Sequence, residues 1–240
     1  MKKNCLSDVD VIVLAGGLGT RIADILPQTP KILAPINNHP FIFFLLSWLK
    51  KFGACRIIFS LGYLADQVEA YLSVNPFEGM DFLVVNEDKP LGTAGAIYNA
   101  RSEIRSDLVL VINGDSLIDA NLCEFVAFHK SGETSASILC NLVSESDRYG
   151  LVEIDKNNRI ISFKEKLANQ GKGNISTGVY LFNASILDEL FVLGPSIEKD
   201  FFQKQPAGRI AGMAVVGEFI DIGTPKDLRR ASNFIDKYFN

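Results

Sequence analysis

Histidine is nearly missing from this sequence, and cysteine never occurs in close pairs: 2 His and 4 Cys lie among 240 residues. His39 and His129 are far from each other, and Cys5, Cys55, Cys123 and Cys140 form no CxxC motif, so no zinc-site spacing is present. The cysteines are expected to be reduced, since a chain this long builds its core without disulfide staples. Long hydrophobic runs are missing too. The longest, Phe41 to Leu49, is interrupted by Ser47 and falls well short of the ~20 residues a bilayer requires. Met1-Lys2-Lys3 begins like an export signal, but Asp8 and Asp10 interrupt the segment after it, and the expected location is cytoplasmic. There is no excess of positive charge: at a net −4, a surface that attracts nucleic acid or anionic membrane as a whole is not expected. A local basic pocket for phosphates remains compatible with that balance. No Pro/Gly/Ser-rich linker, low-complexity tract or internal repeat divides the chain, so residues 1–240 are expected to form a single domain.

What is present is a βαβ rhythm. Val9 to Ala15 is a nearly continuous apolar run ending in glycines, the pattern of a buried parallel strand feeding a loop. Arg56 to Leu61, Phe82 to Asn86 and Leu108 to Asn113 repeat it. Between the first two, Leu64, Val68, Tyr71 and Leu72 fall on one helical face. This alternation predicts an α/β fold with a Rossmann-like, mostly parallel sheet flanked by helices. After about residue 134 the rhythm turns to strands: Ser135 to Leu142, Gly150 to Asp155 and Arg159 to Phe163, with hairpin chemistry at Lys156-Asn157-Asn158. The first part is expected to bind nucleotide, and the second to extend the same sheet over one side of the pocket. A closing helix is predicted from Pro225 to about Tyr238, with Thr224 as N-cap, Pro225 at N1 and Asp227 at N3.

Leu14-Ala15-Gly16-Gly17-Leu18-Gly19-Thr20-Arg21 lies directly after the first strand. Glycines there let backbone N–H groups approach a polyphosphate, and Arg21 adds a bidentate cation. No Gly-Lys-Ser/Thr comes after it, and the third glycine of a dinucleotide fingerprint is replaced by Ile22, so neither an ATPase-type P-loop nor a hydride-transfer enzyme is indicated. Lys31 lies between Pro30 and Pro35, a stiffened segment that would present its ammonium at low entropic cost. By itself Lys31 reads more readily as a solvated loop cation.

Taken together, the G-G-x-G-T-R loop and the P-K-x-L-x-P segment resemble the signature of the sugar-1-phosphate nucleotidyltransferases. The resemblance runs through Glu87 to Ala96 (EDKPLGTAGA), Asn113-Gly114-Asp115, Asp147-Arg148-Tyr149-Gly150, Phe163 to Lys166 (FKEK), Ser176 to Tyr180 (STGVY) and Ile220 to Pro225 (IDIGTP). Within that family the chain is most similar to guanylyltransferases acting on D-glycero-D-manno-heptose 1-phosphate, with mannose 1-phosphate enzymes next.

The resemblance implies the nucleotide-diphospho-sugar transferase fold. It also implies transfer of a nucleotidyl group, GMP from GTP favoured, to a sugar 1-phosphate. Pyrophosphate is released, and the nucleotide sugar serves surface polysaccharide synthesis such as capsule or lipopolysaccharide. Implied catalytic residues are Arg21, Lys31, Asp115 and Lys166; Asp115 and Asp221 would hold Mg²⁺. Leu14, Ala15, Gly16, Gly17, Gly19, Thr20, Glu87, Pro90, Gly92 and Thr93 would bind nucleotide. Gly150, Glu165, Lys166, Ser176, Thr177, Gly178 and Glu198 would bind the sugar phosphate. The expected partners are these two substrates, with no nucleic acid and no membrane; the oligomeric state stays open to a homodimer.

The plain chemistry is compatible: phosphoryl transfer needs positioning and charge neutralisation more than covalent help. Each position also has an ordinary reading: a turn aspartate for Asp115, a polar group near the last helix for Asp221, a solvated charge run for Lys164-Glu165-Lys166, and a helix-start carboxylate for Glu198. Two departures from the family pattern stand out. Ser176-Thr177-Gly178 replaces Asn-Ala-Gly, and Leu167 comes after Glu165-Lys166 in place of proline. Three alternatives stay open: a mannose or glucose 1-phosphate nucleotidyltransferase using another triphosphate, a retaining glycosyltransferase, and a non-catalytic nucleotide-sugar sensor. The second would favour Asp-x-Asp where this chain has Asp115-Ser116-Leu117.

Overall fold

The computed structural model describes residues 4–146, 149–164 and 171–239. In chain order its elements are strands β1 (Asp10–Ala15), β2 (Pro35–Ile36) and β3 (His39–Pro40), helix α1 (Phe41–Lys51), β4 (Arg56–Leu61), α2 (Ala65–Val74), β5 (Asp81–Asn86) and α3 (Gly92–Ala100). Next come β6 (Leu108–Asn113), β7 (Ser116–Ile118), α4 (Leu122–Ser131), β8 (Ala136–Val143), β9 (Leu151–Ile154), β10 (Ile160–Lys164) and β11 (Gly173–Asn183). The chain closes with α5 (Leu187–Val192), β12 (Ala211–Val215), β13 (Phe219–Asp221) and α6 (Pro225–Phe239).

Among the described residues, nine strands form one mixed sheet. Its parallel half has the order β6–β1–β4–β5. These strands are apolar on both faces because both faces are covered. Val11 and Val13 of β1 enter a core with α1, α4 and α6, whereas Ile12 enters a second core with α3 and α5. From β1 the chain steps outward to β4 and β5, then returns to the other side of β1 as β6. The carboxyl ends of β1 and β6 therefore flank a topological switch point, the place where open α/β sheets bind ligands.

The second half extends the same sheet. β11 runs antiparallel to β6, β8 runs antiparallel to β11, and β12 pairs in parallel with β8. β9 and β10 form the expected hairpin, with Asn158 at φ 60° supplying its turn. A separate two-stranded ribbon joins β7 to β13, placing Asp221 opposite Ser116. The closing helix starts as expected: the Asp227 N–H donates to the Thr224 hydroxyl at 3.3 Å, and Ala231, Phe234 and Ile235 bury one face. In α2, Val68 and Leu72 face the core, but Leu64 precedes the helix at φ 57° and is not part of its face.

One expectation is overturned. Cys5 and Cys123 are joined in a disulfide, while Cys55, exposed, and Cys140, buried, remain thiols. Cys5 lies in the turn before β1 and Cys123 in the first turn of α4, segments 118 residues apart that packing brings side by side. Contact over such a separation leaves no mark on the local sequence. No helix among the described residues is long and apolar enough to cross a membrane.

Far from the switch point, Asp10 at the start of β1 is buried and accepts hydrogen bonds from the Arg105 N–H (2.6 Å), the Ser106 N–H (3.0 Å) and the Arg56 guanidinium (3.1 Å). Burial opposes its charge, but these donors hold the carboxyl below its ordinary value of 3.8. Asp10→Asn is expected to cost about 3 kcal/mol at pH 7, the scale for removing one partner of a buried pair. A depressed folded-state pKa gives stability that is present above the unfolded value and lost as pH falls through the folded one. Urea titrations should therefore show the deficit shrinking below pH 3.8. A thiol titration in denaturant without reductant should find only Cys55 and Cys140 reactive, and prior reduction should add Cys5 and Cys123.

Candidate active site at the switch point

The carboxyl ends of β1 and β6 border a cleft of about 400 Å³. Its rim is the glycine loop after β1, where removal of side chains exposes main-chain N–H groups to whatever enters. Leu14, Ala15, Gly16, Gly17, Gly19 and Thr20 all line it, as do Glu87, Pro90, Gly92 and Thr93 on the opposite wall. The three cleft-side members of the expected catalytic set, Arg21, Lys31 and Asp115, line it as well. Sequence reasoning had not singled out Asn113 or Gly223, which also border it.

At one end of the cleft the charges converge. Lys31, in a 3₁₀ turn over Lys31–Leu33 anchored by buried Ile32, pairs with Asp115 and lies 3.9 Å from Asp221. Ser116 donates to Asp115 at 3.0 Å, and the Gly223 N–H donates to Asp221 at 2.6 Å. Gly223 marks the meeting point. A methyl group there would fall 2.6 Å from Asp221 Oδ1, 3.2 Å from Arg21 Nη2 and 3.3 Å from Lys31 Nζ. A side chain there would push these three groups aside, and the position is legible in the sequence as a glycine two residues after a strand-end aspartate. Burial disfavours the charge on Asp115, but the Lys31 ammonium outweighs it and holds the carboxyl below its usual range. Burial and then the negative charge of Asp115 push Asp221 above that range. Two carboxylates thus repel each other and share one ammonium.

The other wall is built by hydrogen bonds. Glu87 accepts from the Ser60 hydroxyl (3.1 Å) and the Leu91 N–H (3.0 Å), which shapes the loop leading into α3. Gly92 starts α3 at φ 74°, and a methyl group there would lie 2.5 Å from the Pro195 carbonyl oxygen. The Ala94 N–H donates to that oxygen at 2.8 Å. Close approach and left-handed backbone together require glycine.

The expected sugar-side residues are placed less uniformly. Glu165 and Lys166 lie outside the described residues, as do Asp147 and Arg148. Gly150 packs against the Phe163 ring and accepts from the Ser176 N–H at 2.9 Å. Ser176 is half-buried, and Gly178 sits beside the Asn113 amide at an irregularity in the β11–β8 pairing. The Thr177 side chain points elsewhere than a ligand would require: it is buried and donates to the Leu139 carbonyl at 2.7 Å. Its hydroxyl fills a main-chain bonding role inside the sheet, which a motif reading cannot distinguish from a sugar contact. Glu198 is no helix cap. Ser196 caps the π-helical turn Ile197–Phe201, while Glu198 bonds to Thr93 on the cleft wall at 2.9 Å.

The nucleotidyl transferase family model matches residues 10–238. The chain belongs to the nucleotidyl transferase family. It is 36% identical over 236 residues to the D-glycero-alpha-D-manno-heptose 1-phosphate guanylyltransferase of Aneurinibacillus thermoaerophilus, covering 96% of this chain and 100% of that protein. The corresponding enzyme of Campylobacter jejuni is 32% identical, covering 91% and 96%. HddC from Yersinia pseudotuberculosis superimposes with a TM-score of 0.84 at 34% identity, covering 95% of this chain and 99% of HddC. That protein has also been solved complexed with GMP-PN, which matches with a TM-score of 0.83. For this nucleotidyl transferase, the cleft at the switch point is the candidate site of the family's chemistry.

Gly92→Ala tests the wall that carries α3. The left-handed backbone adds about 1–3 kcal/mol of strain, and the blocked carbonyl of Pro195 forces α3 away. Calorimetric titration with a nucleoside triphosphate should show binding weakened by about tenfold or more.

Proposed function

We propose that this chain is a sugar-1-phosphate guanylyltransferase, and that its acceptor is D-glycero-alpha-D-manno-heptose 1-phosphate. The observation that carries the reading is the convergence of Arg21, Lys31, Asp115 and Asp221 beside Gly223, the first three of them lining the cleft. The relatives named for heptose 1-phosphate guanylyl transfer match almost end to end, which supports the choice of substrates.

In this reading an oxygen of the sugar 1-phosphate attacks the α-phosphorus of GTP. The bond from that phosphorus to the bridging oxygen breaks, pyrophosphate leaves with the electron pair, and GDP-sugar forms. No protein nucleophile is needed. The glycine-loop N–H groups hold the triphosphate, Arg21 neutralises the leaving pyrophosphate, and Lys31 faces the α-phosphate. Lys166 is proposed to hold the acceptor phosphate, with Glu165 accepting from sugar hydroxyls. Glu87 places an acceptor-only carboxylate on the base side, suited to a base edge that carries N–H donors, as guanine does.

The family's chemistry implies a divalent cation, Mg²⁺, and the donor set fits one. Asp115 and Asp221 are two carboxylates close enough to repel, and Mg²⁺ typically takes one or two carboxylates and completes its shell with phosphates and water. When bound, the ion neutralises charge on the phosphates. The arginine and lysine side chains already offset both carboxylates, so an incoming triphosphate would bring charge that the protein alone does not balance.

Pyrophosphate release should be measured for four nucleoside triphosphates crossed with heptose, mannose and glucose 1-phosphates. GTP with the heptose phosphate is expected to be fastest. Turnover with mannose 1-phosphate alone would move the acceptor assignment, and turnover without pyrophosphate would point to glycosyl transfer. Asp115→Asn is expected to lower kcat by about 10²–10³, the range for losing one preorganised charge-stabilising group. Chelation of divalent ions should stop wild-type turnover, and added Mg²⁺ should restore it.

A further inference from the structure

Strand β6 is apolar from Leu108 to Ile112 and then places an amide, Asn113, at its carboxyl end. Asn113 is half-buried, lies beside Leu14 of β1 in the parallel register, and borders the cleft together with it. On its other side the β6–β11 pairing ends at Ile112 and Val179, so Gly178 is the next residue along β11. A methyl group on Gly178 would fall 2.4 Å from Asn113 Nδ2, 2.7 Å from its Cγ and 3.0 Å from its Cβ, and Gly178 holds φ 74°. A bare residue in the left-handed region thus leaves the space that the amide fills.

Nothing in the protein uses this amide. The other polar groups of the cleft are engaged: Lys31 with Asp115, Asp221 with the Gly223 N–H, and Glu87 with Ser60 and Leu91. Among the described residues the Asn113 side chain has no hydrogen-bond partner. Yet it carries two donor hydrogens and an acceptor oxygen, and a half-buried polar group without partners is less favourable than an apolar one of similar shape.

Place in the cleft selects the group that the amide meets. Asn113 lies two residues before Asp115 of the charged end, and its neighbour Leu14 leads into the glycine loop. Phosphates go to the cations and the loop N–H groups, and the base edge goes to Glu87. Between those two ends a nucleotide has its ribose, whose adjacent hydroxyls each donate and accept. An amide matches such a pair, whereas a cation only donates and a carboxylate only accepts.

We propose that Asn113 is a specificity-determining residue that reads the ribose: its amide bonds to the 2′- and 3′-hydroxyls of the nucleoside triphosphate, and Gly178 leaves the room that this side chain needs. The inference rests on the reading of the cleft as a nucleoside triphosphate site and is independent of which sugar phosphate accepts the nucleotide.

GTP, 2′-deoxy-GTP and 3′-deoxy-GTP, each titrated calorimetrically into the protein with Mg²⁺ and without acceptor, test it. Wild-type protein should bind GTP about tenfold more tightly than at least one deoxy analogue. Asn113→Ala should bind GTP about tenfold more weakly while its affinity for that analogue changes less than about twofold, so that the gap closes. Asn113→Ser, with a shorter polar group, should narrow the gap and carries the comparison if the alanine variant fails to fold. Gly178→Ala should narrow it as well, because the added methyl displaces the amide. Wild-type protein that binds all three nucleotides equally, or a gap of wild-type size in the Asn113 variants, overturns the proposal. In pyrophosphate-release assays, a raised KM for the sugar phosphate with ribose discrimination intact also overturns it and moves Asn113 to the acceptor side. Protein that binds GTP but releases no pyrophosphate with any substrate pair sinks the proposed activity and leaves the titrations to decide the ribose contact. Absence of GTP binding to the wild type overturns both.

Discussion

Two carboxylates that come close in a partly buried place raise each other's proton affinity, and a nearby cation offsets that rise. Here that cation is the Lys31 ammonium, paired with Asp115 and 3.9 Å from Asp221. The three residues come from three parts of the chain: a proline-flanked turn, the end of β6, and the end of β13. Each is held by something ordinary. Ile32 buries the turn, the Ser116 hydroxyl fixes Asp115, and the β7–β13 ribbon delivers Asp221 opposite Ser116. The ribbon stands apart from the large sheet among the described residues, and its consequence is to place the second carboxylate near the first. Gly223 then lets Arg21 reach the same point.

The cleft owes its position to strand order. Because β6 returns beside β1 after the chain has stepped outward through β4 and β5, the loops leaving those two strands diverge and leave a crevice between them. The opposite wall has no such topological origin. It is α3, pinned through Gly92, Thr93 and Ala94 to the segment 195–198 of the second half. That wall and the second half are thus joined both by hydrogen bonds and by a shared core in which Ala94 and Ile97 of α3 cluster with Ile197 and Phe201.

Much of this was legible in the residues alone. Arg56–Leu61 and Leu108–Asn113 appear with the bounds that their apolar runs predict, since strands buried on both faces announce themselves by composition. Thr224, Pro225 and Asp227 start the last helix as their spacing predicts, because capping is chemistry within one turn. The expected cleft residues, from Leu14 to Thr93, do share one cavity. Other features were not legible. The β7–β13 ribbon and the parallel β12 are short, and their pairing depends on partners distant in sequence. Thr177 sat inside a recognisable motif yet turns its hydroxyl to a main-chain carbonyl. Glu198 looked like a helix-start carboxylate and proved to bridge β11 and α3.

The sequence by itself determined the layered α/β class, the positions of the parallel strands, the glycine loop and the stiffened Lys31, because each of these depends on neighbours within a few residues. Only the tertiary structure decided that Asp115 and Asp221 face one ammonium, that Cys5 meets Cys123, and that Ser176 is linked through Tyr180 to Glu198. Those contacts join residues that no local pattern connects. They form only when strand order and packing have brought the segments together, and side-chain chemistry then settles which atoms donate and which accept.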